Sequence, residues 1–333
     1  MATSRGRRPA AHRSKERSCM PRANILVTGG AGFIGSHLAT RFCELGHAVR
    51  VFDNLATGKR ENLAAVAERI EFVEGDLRHP EECERACYGI DVVFHVGALP
   101  SVPVSVERPV ETHDCNVTGT LNILMAARAN RCKRVIFSGS SSCYGEVPES
   151  PKHEGIKPAP LSPYAAQKLA GEHYMRVFYE CYGLETLVCR YFNVFGPRQN
   201  PKSQYAAVIP AFITAILEDR APTIYGDGKQ TRDFTFVENI VHAYMLAVDA
   251  PRTRGEVINV ACGDEISLLQ IVDAVNRILG KDIRPTFAAP RPGDVRNSCA
   301  AIQAAHDLLG FTPIVTFKDG LQRTIDYYAA QMG

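Results

Sequence analysis

The stretch Thr28-Gly29-Gly30-Ala31-Gly32-Phe33-Ile34-Gly35-Ser36 limits what this chain can become more than any other. It follows an apolar run, Asn24 to Val27, and opens a segment, Ser36 to Leu45, whose apolar residues recur at helical spacing. The stretch therefore reads as strand, tight turn, helix. Spaced glycines are common in turns and mean little alone. Between a strand and a helix they acquire positions: Gly29 allows the tight turn, Gly32 lets the backbone approach a pyrophosphate, and Gly35 lets the helix pack close to the strand. The helix N-terminus then faces the phosphates. The spacing is GxxGxxG rather than GxGxxG.

A second short strand, Val49 to Phe52, ends in Asp53, about 20 residues after the glycines, where a carboxylate accepts hydrogen bonds from an adenosine ribose. A carboxylate there repels a 2′-phosphate, so the expected cofactor is NAD rather than NADP.

Bulk properties narrow the class further. With 333 residues, and a prior of about 150 residues per domain, the chain has room for two domains or one elaborated one. A net charge of +2 gives no reason to expect nucleic acid or an acidic membrane as partner. No apolar run approaches the ~18 residues of a membrane span, so a soluble, cytoplasmic protein is expected. The 11 cysteines are odd in number and scattered through apparent strands and helices, which favours reduced core residues over a disulfide framework. His79, Cys83 and Cys87 share a face if helical, but residues eight apart rise ~12 Å, too far for one metal; no metal site is expected.

In chain order, residues 1–19 carry five arginines and Lys15 against Glu16 alone, with no apolar periodicity. This basic stretch reads as a disordered tail or an extension ahead of a start at Met20; an Arg-rich nucleic-acid arm or transit signal has the same composition. Strands are expected at 24–28, 48–52, 70–73, 91–94, 134–138 and 186–191, alternating with helical segments. That alternation indicates a doubly wound, Rossmann-type α/β sheet over 20–192, whose ligands bind beyond the carboxyl ends of the strands. Beyond 192 frequent prolines break the chain into short pieces. Segments within about 233–262, namely Asp233 to Val237 and Glu256 to Val260, are expected to return to the sheet, leaving 193–232 and 263–333 as a smaller substrate lobe.

Chemistry-bearing residues fall at the strand ends. Gly75-Asp76-Leu77 follows the third strand, Phe94-His95-Val96-Gly97-Ala98 lies at the fourth, and Ser138-Gly139-Ser140-Ser141-Ser142-Cys143-Tyr144-Gly145 closes the fifth. Tyr164 and Lys168, in Ser162-Pro163-Tyr164-Ala165-Ala166-Gln167-Lys168, share one helical face.

The glycine loop, the serine-rich strand end and the Tyr/Lys pair together resemble the extended short-chain dehydrogenase/reductase family, over residues 24 to about 330. The resemblance implies a triad of Ser140, Tyr164 and Lys168, Ser140 being placed by its position four residues before Tyr144. It implies an NAD site of Gly29, Gly32, Phe33, Ile34, Gly35, Asp53, Asn54, Asp76 and Leu77, shared with Tyr164 and Lys168. A free tyrosine has a pKa near 10, so about one in a thousand is phenolate at pH 7. A neighbouring ammonium and a positive nicotinamide favour that anion, which then takes a proton from a sugar hydroxyl as hydride leaves the same carbon.

Within the family the second half looks like the nucleotide-sugar 4-epimerases. Carried over, Asn193 meets the diphosphate and Gln199 the sugar or its phosphate. Ser141 and Ser142 stand beside the sugar. Ala207 and Val208, in Tyr205-Ala206-Ala207-Val208, line uracil and sugar, Tyr225 packs at the uridine, Arg232 and Arg291 clamp the diphosphate, and Asp294 binds the ribose. Forked guanidinium donors match phosphate oxygens. The implied substrate is a UDP-hexose, oxidised at C4, turned as the 4-keto sugar and reduced on its other face.

Ser298 stands where the epimerases vary between a bulky aromatic and a small residue beside the 2-substituent. Overpacking a tight site costs ~1–3 kcal/mol, so serine leaves room for an N-acetyl group, as in the UDP-N-acetylglucosamine/UDP-glucose subgroup, unless other residues shape that pocket. Two positions depart from the family: Gly97, usually Ala, and Ala301, often Asp, where the change bears on how the loop after Ser298 is held. A 4,6-dehydratase needs an Asp-Glu pair where Ser141 and Ser142 stand, and a uronate decarboxylase a Glu at 141. A UDP-glucuronate 4-epimerase stays open. A non-catalytic NAD sensor has no need of the triad. The resemblance also implies a homodimer, built from the helix after about Val110 and the helix carrying Tyr164.

Overall fold

The computed structural model describes residues 22–201, 207–290 and 296–332. Seven strands form one sheet: β1 (Asn24–Thr28), β2 (Ala48–Asp53), β3 (Ile70–Glu74), β4 (Val92–His95), β5 (Arg134–Ser140), β6 (Glu185–Tyr191) and β7 (Glu256–Val260). Their spatial order is β7-β6-β5-β4-β1-β2-β3, and every neighbouring pair is parallel. The order reverses between β1 and β4, which opens the crevice where a ligand of such a sheet sits. β5 runs past its expected end because Gly139 and Ser140 still pair with Arg190 and Tyr191.

Central strands are apolar continuously rather than alternately, because helices cover both faces. All four residues of β4 are buried. One face packs Ile25, Val27, Phe42, Phe94 and Tyr244; the other packs Leu26, Phe52, Val93, Phe137 and Met175. A third core, with Phe195, Ile213, Val272 and Ile325, organises the second lobe.

Three helices matter for the site. α1 (Phe33–Glu44) follows the glycine loop. α2 (Pro163–Tyr182) starts at Ser162, whose hydroxyl accepts from the Ala165 N–H at 3.2 Å, has Pro163 in its first turn, and stops at Gly183 with φ 70°. α3 (Phe317–Met332) closes the chain over the second lobe.

One expected return to the sheet takes another form. Glu256–Val260 is the edge strand β7, but Thr235–Phe236 pairs with Val194–Phe195 in a separate two-stranded ribbon. The edge beside β6 is already filled by β7, and the helix Val237–Asp249 begins directly after Phe236, so only a short ribbon can form. In the second lobe Thr231–Arg232 lies between Ile266–Ser267 and Asn297–Ser298.

His79 precedes the helix Pro80–Cys87, and Cys83 and Cys87 turn into the core with no exposure. Among the described residues no cluster of three or more His, Cys, Asp or Glu is placed to hold a metal, and no helix is long and apolar enough to cross a membrane. The basic stretch 1–19 lies outside the described residues.

Candidate active site

The carboxyl ends of β1, β2, β4, β5 and β6 open into one cleft of about 1690 Å³. At its first end the glycine loop behaves as its residues require. Gly29 has φ 64°, and a Cβ there would stand 2.6 Å from the Gly97 Cα. A Cβ on Gly35 would stand 2.2 Å from the Gly29 carbonyl oxygen, so α1 packs against the turn only because that position is glycine. No side chain caps α1, leaving its first N–H groups directed at the cleft.

Asp53 ends β2 with both oxygens oriented by the backbone, accepting from Ala31 N at 2.9 Å and Leu55 N at 2.8 Å. Burial raises its pKa, opposed by those two bonds. Asp76 accepts from Arg78 at 2.9 and 2.6 Å and from Asn54 Nδ2 at 2.9 Å; chiefly through the Arg78 bonds it is held well below the usual carboxylate range. The loop itself is tied down from below. Thr28 Oγ1 accepts from the N–H groups of Val96 and Gly97 at 3.2 and 3.0 Å, which leaves its proton for His95 Nδ1 at 2.8 Å; His95 Nε2 then donates to Thr120 Oγ1 at 3.0 Å. Burial first, then the Lys168 charge, lowers His95 to about 3, so this link is a neutral imidazole. Gly97 fits here because an added Cβ would stand 2.8 Å from Leu77 Cδ1, so alanine at this position requires Leu77 to shift.

Ser140 ends β5, and the short helical turn Ser141–Tyr144 follows it. Ser140 Oγ lies 2.8 Å from Ser142 Oγ. Tyr164 and Lys168 project from the first turns of α2 into the same cleft. Burial pushes the Tyr164 phenol up to about 12, opposed by a hydrogen bond to Ser140. Burial pulls Lys168 down to about 8, opposed by Cys115, Cys143 and Glu172, and its Nζ lies 4.8 Å from the Phe137 ring centre.

At the far end the cleft is lined by Ser141, Ser142, Asn193, Gln199, Ala207, Arg232 and Ser298. Asn193 Nδ2 donates to the Asp233 carbonyl at 3.0 Å. Gln199 Nε2 donates to the Val194 carbonyl at 3.1 Å, which leaves its Oε1 buried with no hydrogen-bond partner beside the cleft. Val208 begins a helix and Tyr225 ends a ribbon strand, both outside the lining of this cleft. Tyr205, Ala206, Arg291 and Asp294 lie outside the described residues.

Sequence reasoning passed over several lining residues. Arg198 reaches Thr40 Oγ1 at 3.2 Å, and Tyr327, Tyr328 and Gln331 come from α3, more than a hundred residues downstream. A helical tyrosine pair carries no local signal for such a role. Arg78, two residues after Asp76, was readable as a local partner.

Residues 25–261 match the model of the NAD dependent epimerase/dehydratase family. The UDP-glucose 4-epimerase of Mycolicibacterium smegmatis is 37% identical over 307 residues, covering 91% of this chain and 97% of that protein. Among solved structures, the UDP-N-acetylglucosamine 4-epimerase of Methanobrevibacter ruminantium, in complex with UDP-N-acetylmuramic acid, superposes with a TM-score of 0.90 at 41% identity, covering 94% of this chain and all of that one. The Thermotoga maritima UDP-glucose 4-epimerase with UDP-glucose superposes with a TM-score of 0.89 at 37% identity, over 93% of this chain and 100% of that one.

Proposed function

The chain belongs to the NAD-dependent epimerase/dehydratase family, and from that premise we propose that it is an NAD-dependent 4-epimerase of UDP-hexoses, acting on the UDP-N-acetylglucosamine/UDP-N-acetylgalactosamine pair and on the UDP-glucose/UDP-galactose pair. The observation that carries the reading is that Ser140, Tyr164 and Lys168 line one cleft between the glycine loop and the group Asn193, Gln199, Arg232 and Ser298.

The first end of the cleft fits NAD. The turn that shapes it admits no side chain at Gly29 or Gly35, whose Cβ atoms would strike backbone at 2.6 and 2.2 Å, the start of α1 is uncapped, and Asp53 presents a carboxylate to a ribose. When bound, NAD supplies the acceptor and later the donor of a hydride. Gly32, Phe33 and Ile34 hold the diphosphate, Asp76, Asn54 and Leu77 the adenosine, and Lys168 the nicotinamide ribose. Loss of the cofactor between oxidation and reduction would stop the cycle, so the protein is expected to copurify with it.

Tyr164 takes the proton of the sugar's C4 hydroxyl, and Ser140 hydrogen-bonds the same oxygen. Bringing a phenol from about 12 to near 7 needs roughly 7 kcal/mol of differential stabilisation. The Lys168 ammonium, and the positive nicotinamide when NAD is bound, would act in that direction, in a site where burial strengthens both charges. With a pKa of about 8, Lys168 is still mostly protonated at pH 7. Arg232, with Arg291, clamps the diphosphate, while Asp294 holds the uridine ribose and Ala207 lines the far end of the cleft. Retention of that end while the 4-keto sugar turns presents its other face for reduction. Ser298, opposite the 2-substituent, leaves space for an N-acetyl group.

Residues 22–192, with β7 and the helix Val237–Asp249 packed on the sheet through Ile240 and Tyr244, form the cofactor domain, and 193–201, 207–232 and most of 263–332 form the substrate lobe. The helical segment from Pro109 to Ala129 packs on α2, and both expose apolar side chains, among them Val110, Met125 and Val177. A homodimer joined through these helices covers them, and a sedimentation mass of a single 36.5 kDa chain would exclude it.

Proton NMR of UDP-N-acetylglucosamine and, separately, UDP-glucose with the purified protein and no added NAD tests the reading. Galacto anomeric signals from both substrates are expected. Conversion of UDP-glucose alone keeps the mechanism and discards the Ser298 argument. No conversion of either, with NAD bound, overturns the proposal and makes a uronate the next substrate to try.

A further inference from the structure

Three segments at the sugar end of the cleft meet on one side chain, that of Asn259 in β7, which is wholly buried. Its Nδ2 donates to the carbonyls of Lys152 and Ala301 at 2.9 and 3.1 Å. Two carbonyl acceptors settle which way the amide points, so Oδ1 must accept, and it receives the Tyr144 hydroxyl at 2.7 Å. Its backbone N–H donates to Glu154 Oε1 at 2.6 Å. The side chain is thus fully satisfied in a site where a missing partner would cost heavily.

Each partner belongs to a different part of the pocket. Tyr144 closes the turn that begins after Ser140, and its ring lies under the Arg190 guanidinium at 4.7 Å. Arg190 in turn forms a bidentate pair with Glu172, one turn beyond Lys168 on α2. Lys152 ends the strap that leaves the turn at Gly145; its N–H donates to the Cys299 carbonyl at 2.7 Å, and its carbonyl accepts from Ala301 N at 2.8 Å. Ala301 follows Ser298 in the loop whose other side is held by Asp233, through Asp233 N to the Ser298 carbonyl at 2.7 Å and Asp233 Oδ2 from Ala300 N at 3.2 Å. The methyl group of Ala301 offers no polar contact of its own. The loop is held through main-chain groups at 299–301, and Asn259 is the side chain that ties them to the Ser140 turn.

We propose that Asn259 is a positioning residue which, through Tyr144 on one side and the Ala301 carbonyl on the other, sets the distance between the catalytic serine turn and the loop carrying Ser298. That distance is the room available to the sugar's 2-substituent. The inference rests on the UDP-sugar reading above and deepens it. Asn259 touches no substrate itself, so its effect is on discrimination rather than on the chemical step.

The test uses the protein as purified with bound cofactor, as wild type, Tyr144→Phe, Asn259→Ser and, as a control of comparable instability, Val275→Ala in the second-lobe core. Tyr144→Phe removes one hydroxyl and keeps the ring under Arg190, so it is the variant least at risk of misfolding. Relative kcat/KM for UDP-N-acetylglucosamine against UDP-glucose is measured, together with hydrogen exchange of the 296–303 segment in the presence of UDP. In both junction variants the substrate ratio should move by about fivefold or more, mainly through KM, as expected for loss of one or two hydrogen bonds. Exchange in 296–303 should accelerate, while Val275→Ala loses thermal stability and changes neither. Lowered melting temperature with the ratio and the exchange both unchanged would mean that Asn259 is structural only, and overturns the proposal. If the wild type turns over neither substrate, the 4-epimerase reading fails and the exchange result alone decides: faster exchange in 296–303 supports the junction, unchanged exchange rejects it.

Discussion

Replacing Glu172 by glutamine isolates the buried ion pair behind α2, the helix that carries Tyr164 and Lys168. Glu172 and Arg190 have side chains only 3% and 4% exposed, joined by bonds of 2.9 and 2.6 Å. Burial alone pulls Arg190 down, yet the bonds and charge of Glu172 hold it above the ordinary arginine value, so it stays charged. Glutamine keeps the volume and one acceptor but removes the charge. Arg190 is then a buried cation with half its bonds, and its Nη1 already lacks a hydrogen-bond partner. Breaking a buried pair in this way costs about 3–5 kcal/mol, and the retained acceptor places Glu172→Gln near about 3. For a chain of this size, where 1 kcal/mol moves the midpoint by roughly 1.4 °C, the expected fall in Tm is roughly 4 °C. Scanning calorimetry at saturating NAD and pH 7 measures it, since unequal cofactor loading would itself shift the midpoint. The double variant Glu172→Leu with Arg190→Met should recover most of the loss, because the desolvation of both charges disappears with them. A fall of less than about 2 °C for Glu172→Gln, or a double variant no better than the single, would refute the reasoning that an uncompensated buried charge dominates.

Three further outcomes are expected. Tyr164→Phe should lower kcat about 100- to 10,000-fold while bound NAD, read by absorbance after denaturation, is retained; a smaller loss means another group moves the proton. Ser298→Tyr should raise KM for UDP-N-acetylglucosamine by roughly 5- to 150-fold and leave UDP-glucose little changed, and equal effects on both would discard the specificity role. Asp233 is raised to about 6 by burial, against three N–H donors that lower it. Unfolded, it titrates near 3.9, so between about pH 4 and 6 the native state binds the extra proton, and stability falls as pH rises through that window by about 3 kcal/mol. Asp233→Asn should lose that part of the slope in denaturant titrations at pH 4.5 and 6.5; an identical slope shows that the carboxyl does not titrate there.

The chain itself announces whatever is local. Glycine at 29 and 35 is required by a turn and a helix that are neighbours in sequence, and Asp53 ends the next strand, so the cofactor end could be read before any folding was considered. Tyr164 and Lys168 were legible for the same reason, one helical turn apart behind Ser162 and Pro163. Burial and partners were not legible. His95 reads as an ordinary strand residue until Thr28 and Thr120 close on it from two elements, and Asp233 until the N–H groups of Cys262, Gly263 and Ala300 gather around it. The expected return of Asp233 to Val237 to the main sheet failed because a strand's place depends on which edge is vacant, and β7 occupies it.

Sequence alone thus determined the layering of the sheet, the glycine turn and which side chains are candidates for the chemistry, because hydrophobic period, turn chemistry and helical spacing act over a few residues. Only the tertiary structure decided the state of those side chains and the shape of the pocket. Desolvation moves Tyr164 and Lys168 in opposite directions, α3 brings Tyr328 against Gln199, and Asn259 joins three segments as far apart in sequence as Tyr144 and Ala301. Those effects arise from burial and packing between distant parts of the chain, and these have no local pattern to betray them.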